Sequence, residues 1–139
     1  MYSKILIPID FAHEEQALAS INKANKLGGE KGIILLHVVE EVPEYVQNFL
    51  PEEFKTDKVE SARKDLQTLL EKSEIDNTDK VQIEVRKGRS YSSILESADK
   101  NEVNLIIINS HKPGFEDYLL GSTAAKVVRH AECAVLVER

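Results

Sequence analysis

Four short apolar runs rich in β-branched residues punctuate the chain: Ile5 to Ile9, Ile33 to Val39, Leu105 to Ile108 and Ala134 to Val137. Val81 to Val85 adds a fifth, which alternates apolar with polar. Such runs predict strands. The segments between them keep helical period instead. Ala17, Leu18, Ile21 and Ala24 form one stripe, and Val59, Ala62, Leu66, Leu69 and Leu70 a second. Ile94, Leu95 and Ala98 form a third, and Ala124, Val127, Val128 and Ala131 a fourth. Each stripe predicts a helix with one buried face.

Strict alternation of strand and helix predicts an α/β fold. A continuous apolar strand such as Ile33 to Leu36 needs cover on both faces, which a parallel sheet flanked by helices provides. The alternating third strand suits an edge. Right-handed crossovers then give a doubly wound, Rossmann-like five-stranded parallel sheet in the order 3-2-1-4-5, with its switch point between strands one and four. Ligands of such sheets bind beyond the carboxyl ends of the strands at that point, so Pro8 to Asp10, His37 to Val39 and Ile108 to Lys112 are the candidate positions.

A length of 139 residues predicts one domain over residues 1–139. With 42% apolar and 30% charged residues, the balance is that of a folding chain rather than a disordered one. The formal charge of −6 argues against nucleic acid or an anionic membrane as partner. A lone Cys133 forms no internal disulfide and supports no multi-cysteine metal site; its simplest reading is a small buried hydrophobe. No apolar run approaches the length of a membrane span. Met1 to Asp10 runs into Pro8 and Asp10 without a small-residue cleavage site, so a cytoplasmic location is expected.

The stretch from Glu40 to Phe54 is irregular, with five glutamates, Pro43 and Pro51, and no basic residue. It is either a solvated acidic crossover or, through Tyr45, Phe49 and Leu50, a lid over a ligand. Asp10, just past a strand, is either an N-cap or an acceptor for a sugar hydroxyl or an adenine amine. Gly121-Ser122-Thr123 follows the loop that begins Asn109-Ser110-His111-Lys112. Glycine backbone, hydroxyls and a helix N-terminus together suit a phosphate, and a helix capped by Ser122 explains the same residues. His37 and His130 read as structural, whereas His111 sits in the loop. Arg86-Lys87-Gly88-Arg89 reads as solvent-exposed, with reach to a phosphate as its alternative.

At this loop the chain resembles the universal stress protein family, which carries Gly-x-x-Gly, nine residues, then Gly-Ser/Thr before its last helix. Lys4 to Asp10 is similar to the family's first strand, Leu35 to Val39 to its second, and Leu119 to Ala131 to its final helix. Asn109 replaces the first motif glycine and Lys112-Pro113 the second, and the loop is one residue shorter. A Ser-His-basic-Pro loop is similar to one nucleotide-binding branch, and Lys112 offers by charge what a glycine offers by close approach. The resemblance implies that Pro8 and Asp10 border an adenosine, Val38 packs on the adenine, and Ile108 and Asn109 meet base or ribose. It further implies that Gly121, Ser122 and Thr123 hold the phosphates, and Ser110, His111 and Lys112 of the preceding loop are candidate nucleotide-binding residues beside them. Val38 and Ile108 also suit any sheet core.

The expected function is therefore an adenine-nucleotide (ATP, ADP or AMP) binding stress-response regulator, with Mg2+ helping an acidic chain accept a triphosphate. Walker, dinucleotide and nucleophile-elbow motifs are all absent, which argues against an enzyme beyond slow ATP hydrolysis. A nucleotide-free scaffold is the alternative. A homodimer through Ala134, Val135, Leu136 and Val137 is expected, because a bare apolar edge strand aggregates unless paired and because the family pairs this strand.

Overall fold

The computed structural model describes residues 1–40, 44–49, 58–110 and 121–139. Its elements run β1 (Tyr2–Pro8), α1 (Glu14–Leu27), β2 (Gly28–Val39), α2 (Glu44–Gln47), α3 (Lys58–Lys72) and β3 (Val81–Lys87). They continue with α4 (Ser90–Lys100), β4 (Leu105–Asn109), α5 (Ser122–His130) and β5 (Ala134–Glu138). The strands form a parallel sheet in the order β3-β2-β1-β4-β5, as the alternation predicted.

Alternate residues of each strand enter opposite layers, because side chains leave a strand on alternating faces. Ile5, Ile7, Ile33, Leu35 and Ile107 meet Ala17, Ile21 and Ala24 of α1 and Leu66, Leu69 and Leu70 of α3. Leu6, Ile34, Leu36, Ile106 and Ile108 meet Ile94 and Ala98 of α4 and Ala124 and Val127 of α5. Each large side chain buried this way contributes about 1.5–3 kcal/mol. The central strands have two such layers, hence their continuous apolar runs.

β2 starts five residues earlier than its apolar run. Tyr2 pairs with Gly28 and Lys4 with Gly32, so the register shifts between them. Gly28 holds φ +146°, and a Cβ there would lie 2.3 Å from the Tyr2 carbonyl oxygen. Pairing made by glycine backbone leaves no apolar signature.

β3 is an edge strand. Val81, Ile83 and Val85 pack toward the α1/α3 layer, while Glu84 and Arg86 meet α4. Ser97 Oγ donates to Glu84 Oε2 at 2.7 Å and Arg86 Nε to Glu84 Oε1 at 2.5 Å. Arg86 Nη1 lies 3.7 Å from Glu96 Oε2. Burial pushes Glu84 up, but the hydrogen bonds from Ser97, Arg86 and Asn101 and the guanidinium charge outweigh it and hold the carboxyl below its ordinary value. Arg86 thus departs from its solvent-exposed reading: its side chain is only 21% exposed because two carboxylates engage it. At the opposite edge, Glu138 of β5 forms an ion pair with Lys23 of α1. No helix among the described residues is long and apolar enough to cross a membrane.

Candidate functional site

The β1–β4 ladder stops early. Ile5 pairs with Leu105 and Leu6 with Ile106. Beyond these pairs β1 stays with β2, through Pro8 opposite Leu36 and Ile9 N–H to the Leu36 carbonyl at 2.7 Å. β4 stays with β5 as far as Asn109 opposite Glu138. Pro8 has no N–H to give to β4. The two strands part at their carboxyl ends, and a cleft of about 350 Å³ opens there.

Pro8, Asp10, Val38, Ile108, Asn109, Ser110, Gly121, Ser122 and Thr123 all line this cleft. His111 and Lys112 lie outside the described residues, as do Leu50 and Pro51 to Phe54 of the acidic crossover. Within that crossover Tyr45 and Phe49 are exposed.

Asp10 caps the short turn Phe11–His13: its Oδ1 accepts from the Ala12 N–H at 3.0 Å. The side chain is nonetheless 71% exposed and Oδ2 lies 4.0 Å from His13 Nε2, so capping leaves acceptor capacity facing the cleft. His37 Nδ1 donates to the Ile9 carbonyl at 2.9 Å, because a carbonyl only accepts, and its ring packs on Phe11 with centroids 4.4 Å apart. That is the structural role expected of it, although the ring also lines the cleft.

Across the opening stands the N-terminus of α5. Gly121, not Ser122, occupies the cap position, with φ −62° and ψ 155°. The expectation of a Ser122 cap therefore gives way: Ser122 is already helical, and the helix ladder starts with Ala125 N–H to the Gly121 carbonyl at 2.9 Å. The first-turn N–H groups precede that ladder and suit an anion.

The lining also includes His13, Gln16, Glu40 and Ser90, which strand-end reasoning missed. Glu40 is the next residue after β2, and Ser90 Oγ donates to its Oε1 at 3.2 Å, tying β2 to the start of α4. Helical spacing from Asp10 could have pointed to His13; nothing in the sequence marked Gln16. Among the described lining residues there are two carboxylates, Asp10 and Glu40, and no lysine or arginine. No cluster of three or more His, Cys, Asp or Glu side chains that could hold a metal ion occurs among the described residues.

The cleft therefore sets apolar side chains and an acceptor wall against a helix N-terminus at the switch point of a doubly wound sheet, the arrangement of a small-ligand-binding α/β domain. The model of the universal stress protein family matches residues 1–139, and the chain belongs to that family. Universal stress protein G of Salmonella typhimurium is 31% identical over 143 aligned positions, covering 100% of both chains. The solved structure of hypothetical protein MJ0577 is 30% identical with a TM-score of 0.75, covering 99% of this chain and 95% of its own. A universal stress protein in complex with cAMP shares the fold at TM-score 0.68 and 16% identity, with 99% and 97% coverage.

Proposed function

We propose that the chain binds an adenine nucleotide in this cleft and acts as a homodimeric regulator in a stress response. The observation that carries the reading is the opposition of Asp10 and the α5 N-terminus across a cleft lined by Val38 and Ile108. The base packs against Val38 and Ile108, Asp10 accepts from a ribose hydroxyl or the adenine amine, and Gly121, Ser122 and Thr123 hold phosphate. Asn109 and Ser110 complete the wall between them, and His111 and Lys112 contribute from the loop. Support comes from the relative solved with cAMP, itself an adenine nucleotide. The carboxylates Asp10 and Glu40 make a bare triphosphate electrostatically unfavourable, so Mg2+ accompanies ATP.

The dimer forms through β5, whose outer edge carries the partly exposed Val135, Leu136 and Val137. The lone cysteine suits a reducing, cytoplasmic setting. Mass spectrometry of small molecules extracted from the purified protein tests the reading. A bound adenine nucleotide is expected; an empty protein that takes up none when offered it would favour a nucleotide-free scaffold. Light scattering should give about twice 15.6 kDa, and a monomer would remove the β5 interface.

A further inference from the structure

Ser20 of α1 is completely buried. A hydroxyl inside a helix ordinarily returns its hydrogen to a carbonyl one turn back, as Thr68 of α3 does with the Lys64 carbonyl at 3.1 Å. Ser20 does otherwise: among the described residues its one hydrogen bond crosses to the sheet, Oγ donating to Asn109 Oδ1 at 3.3 Å. That bond fixes the amide of the last β4 residue, with its oxygen turned toward α1.

The amide nitrogen is left over. Asn109 Nδ2 donates to no described residue, yet Gln16 Oε1 is the sole described side-chain nitrogen or oxygen that is both shut off from solvent and unpartnered. Asn109 Nδ2 therefore keeps contact with solvent. The open space beside the half-buried Asn109 is the switch-point cleft, which it lines. An amide N–H only donates, so Asn109 offers the cleft a donor. Alternation along the strands indicates what meets it. Val38 and Ile108, the expected base contacts, belong to the α4/α5 layer. Asn109 lies on the other face with Ile107 and Ser20, where Asp10 opens the turn that runs into α1.

We propose that Asn109 is a specificity residue, donating from Nδ2 to a ribose hydroxyl whose own hydrogen goes to Asp10, and that Ser20 is the positioning residue that holds the amide in this orientation. The inference rests on the nucleotide reading and deepens it. A base packed on Val38 and Ile108 leaves the sugar to face Asp10 and Asn109. Asp10 only accepts and Asn109 Nδ2 only donates, and a hydroxyl does both. Freed from Ser20, the amide can turn over and present its oxygen, which sets acceptor beside acceptor. A site that pairs a ligand hydroxyl in this way rejects analogues without it, because its polar groups are then left unpaired.

The test titrates the full-length wild type, Asn109→Ala and Ser20→Ala with the magnesium complexes of ATP, 2′-deoxy-ATP and 3′-deoxy-ATP. The wild type should bind ATP about tenfold more tightly than one of the two deoxy analogues, and the one it rejects identifies the hydroxyl. Asn109→Ala should weaken ATP about fivefold more than it weakens that analogue, since the analogue has no hydroxyl oxygen to accept from Nδ2. Ser20→Ala, which touches no ligand, should reduce the same preference by about threefold. Comparing nucleotides within each variant cancels any general loss of stability or of the site. Equal wild-type affinity for all three nucleotides would overturn the role of Asn109 while leaving the nucleotide site standing. So would an Asn109→Ala variant that loses affinity equally for all three. A Ser20→Ala variant with the full wild-type preference would overturn the positioning role. Absence of binding to any of the three by the wild type would overturn both the inference and the reading beneath it.

Discussion

Two hollows of similar size sit at opposite ends of the sheet and differ in what surrounds them. The switch-point cleft encloses about 350 Å³ at the carboxyl ends of the strands. The other encloses about 310 Å³ near the amino ends of β4 and β5, between the C-terminal turns of α4 and α5. The first faces a helix N-terminus, whose first-turn N–H groups have no acceptor within the helix itself. The second is lined by Asp99, Glu102 and Glu132 and by two helix ends whose dipoles point their negative poles inward. Cys133 lies there half-buried rather than fully buried; burial pushes its thiol up, and Asp99 adds to the shift against a backbone hydrogen bond that lowers it. Volume alone does not make an anion site. The polarity of the helices sets which end of a parallel sheet receives phosphate.

The largest effect should come from Gly121→Val. Its backbone at φ −62° and ψ 155° is open to any residue, so the variant should fold normally and melt within about 0.5 kcal/mol of the wild type. The new side chain would keep a phosphate from the helix N-terminus, and ATP binding should fall below detection in a calorimetric titration. Retained binding would remove the distinction between the two ends. Ser122→Ala comes next: loss of one hydrogen bond to a charged group should weaken ATP by about ten to a hundredfold.

Asp10→Ala separates the cap role that the structure shows from the acceptor role proposed for the same side chain. Loss of the Ala12 cap should cost about 1 kcal/mol in a denaturant titration. Loss of the free oxygen should weaken nucleotide binding as well; a stability loss with unchanged affinity would make Asp10 a cap and nothing more.

Glu84→Gln moves the comparison to pH. The folded protein holds the Glu84 carboxyl below its ordinary value. Its contribution is therefore present above the unfolded carboxylate range and lost as the pH falls through the lower folded value. Wild type should lose stability more steeply than Glu84→Gln from about pH 5 downward, in melts taken across that range. Parallel curves would mean that the β3–α4 cluster carries no net charge energy.

The smallest effect belongs to the second hollow: Cys133→Ser should leave ATP affinity unchanged. With its pKa raised, the Cys133 thiol should react slowly with an alkylating reagent at neutral pH and faster as the pH rises.

Strand order was legible because side-chain burial writes itself into periodicity: Ile33 to Leu36 needed two covered faces, and Val81 to Val85 needed one. The cleft's strand-end lining was legible too, since topology alone brings Pro8, Val38 and Asn109 to one point. What could not be read depended on backbone or on distant partners. The glycine pairing at Gly28 carries no side chain, and the ion pair from Arg86 of β3 to Glu96 of α4 joins two different elements. Ser122 looked like a cap because serine favours that position, yet Gly121 takes it with the extended backbone a cap requires.

Isothermal titration of the wild-type protein with ATP, with and without magnesium, tests the central claim most directly. Saturable binding at one nucleotide per chain is expected, tighter with the metal, together with phosphate release well under about one per second, the low end of enzyme turnover. No heat of binding at millimolar ATP in either condition would contradict it.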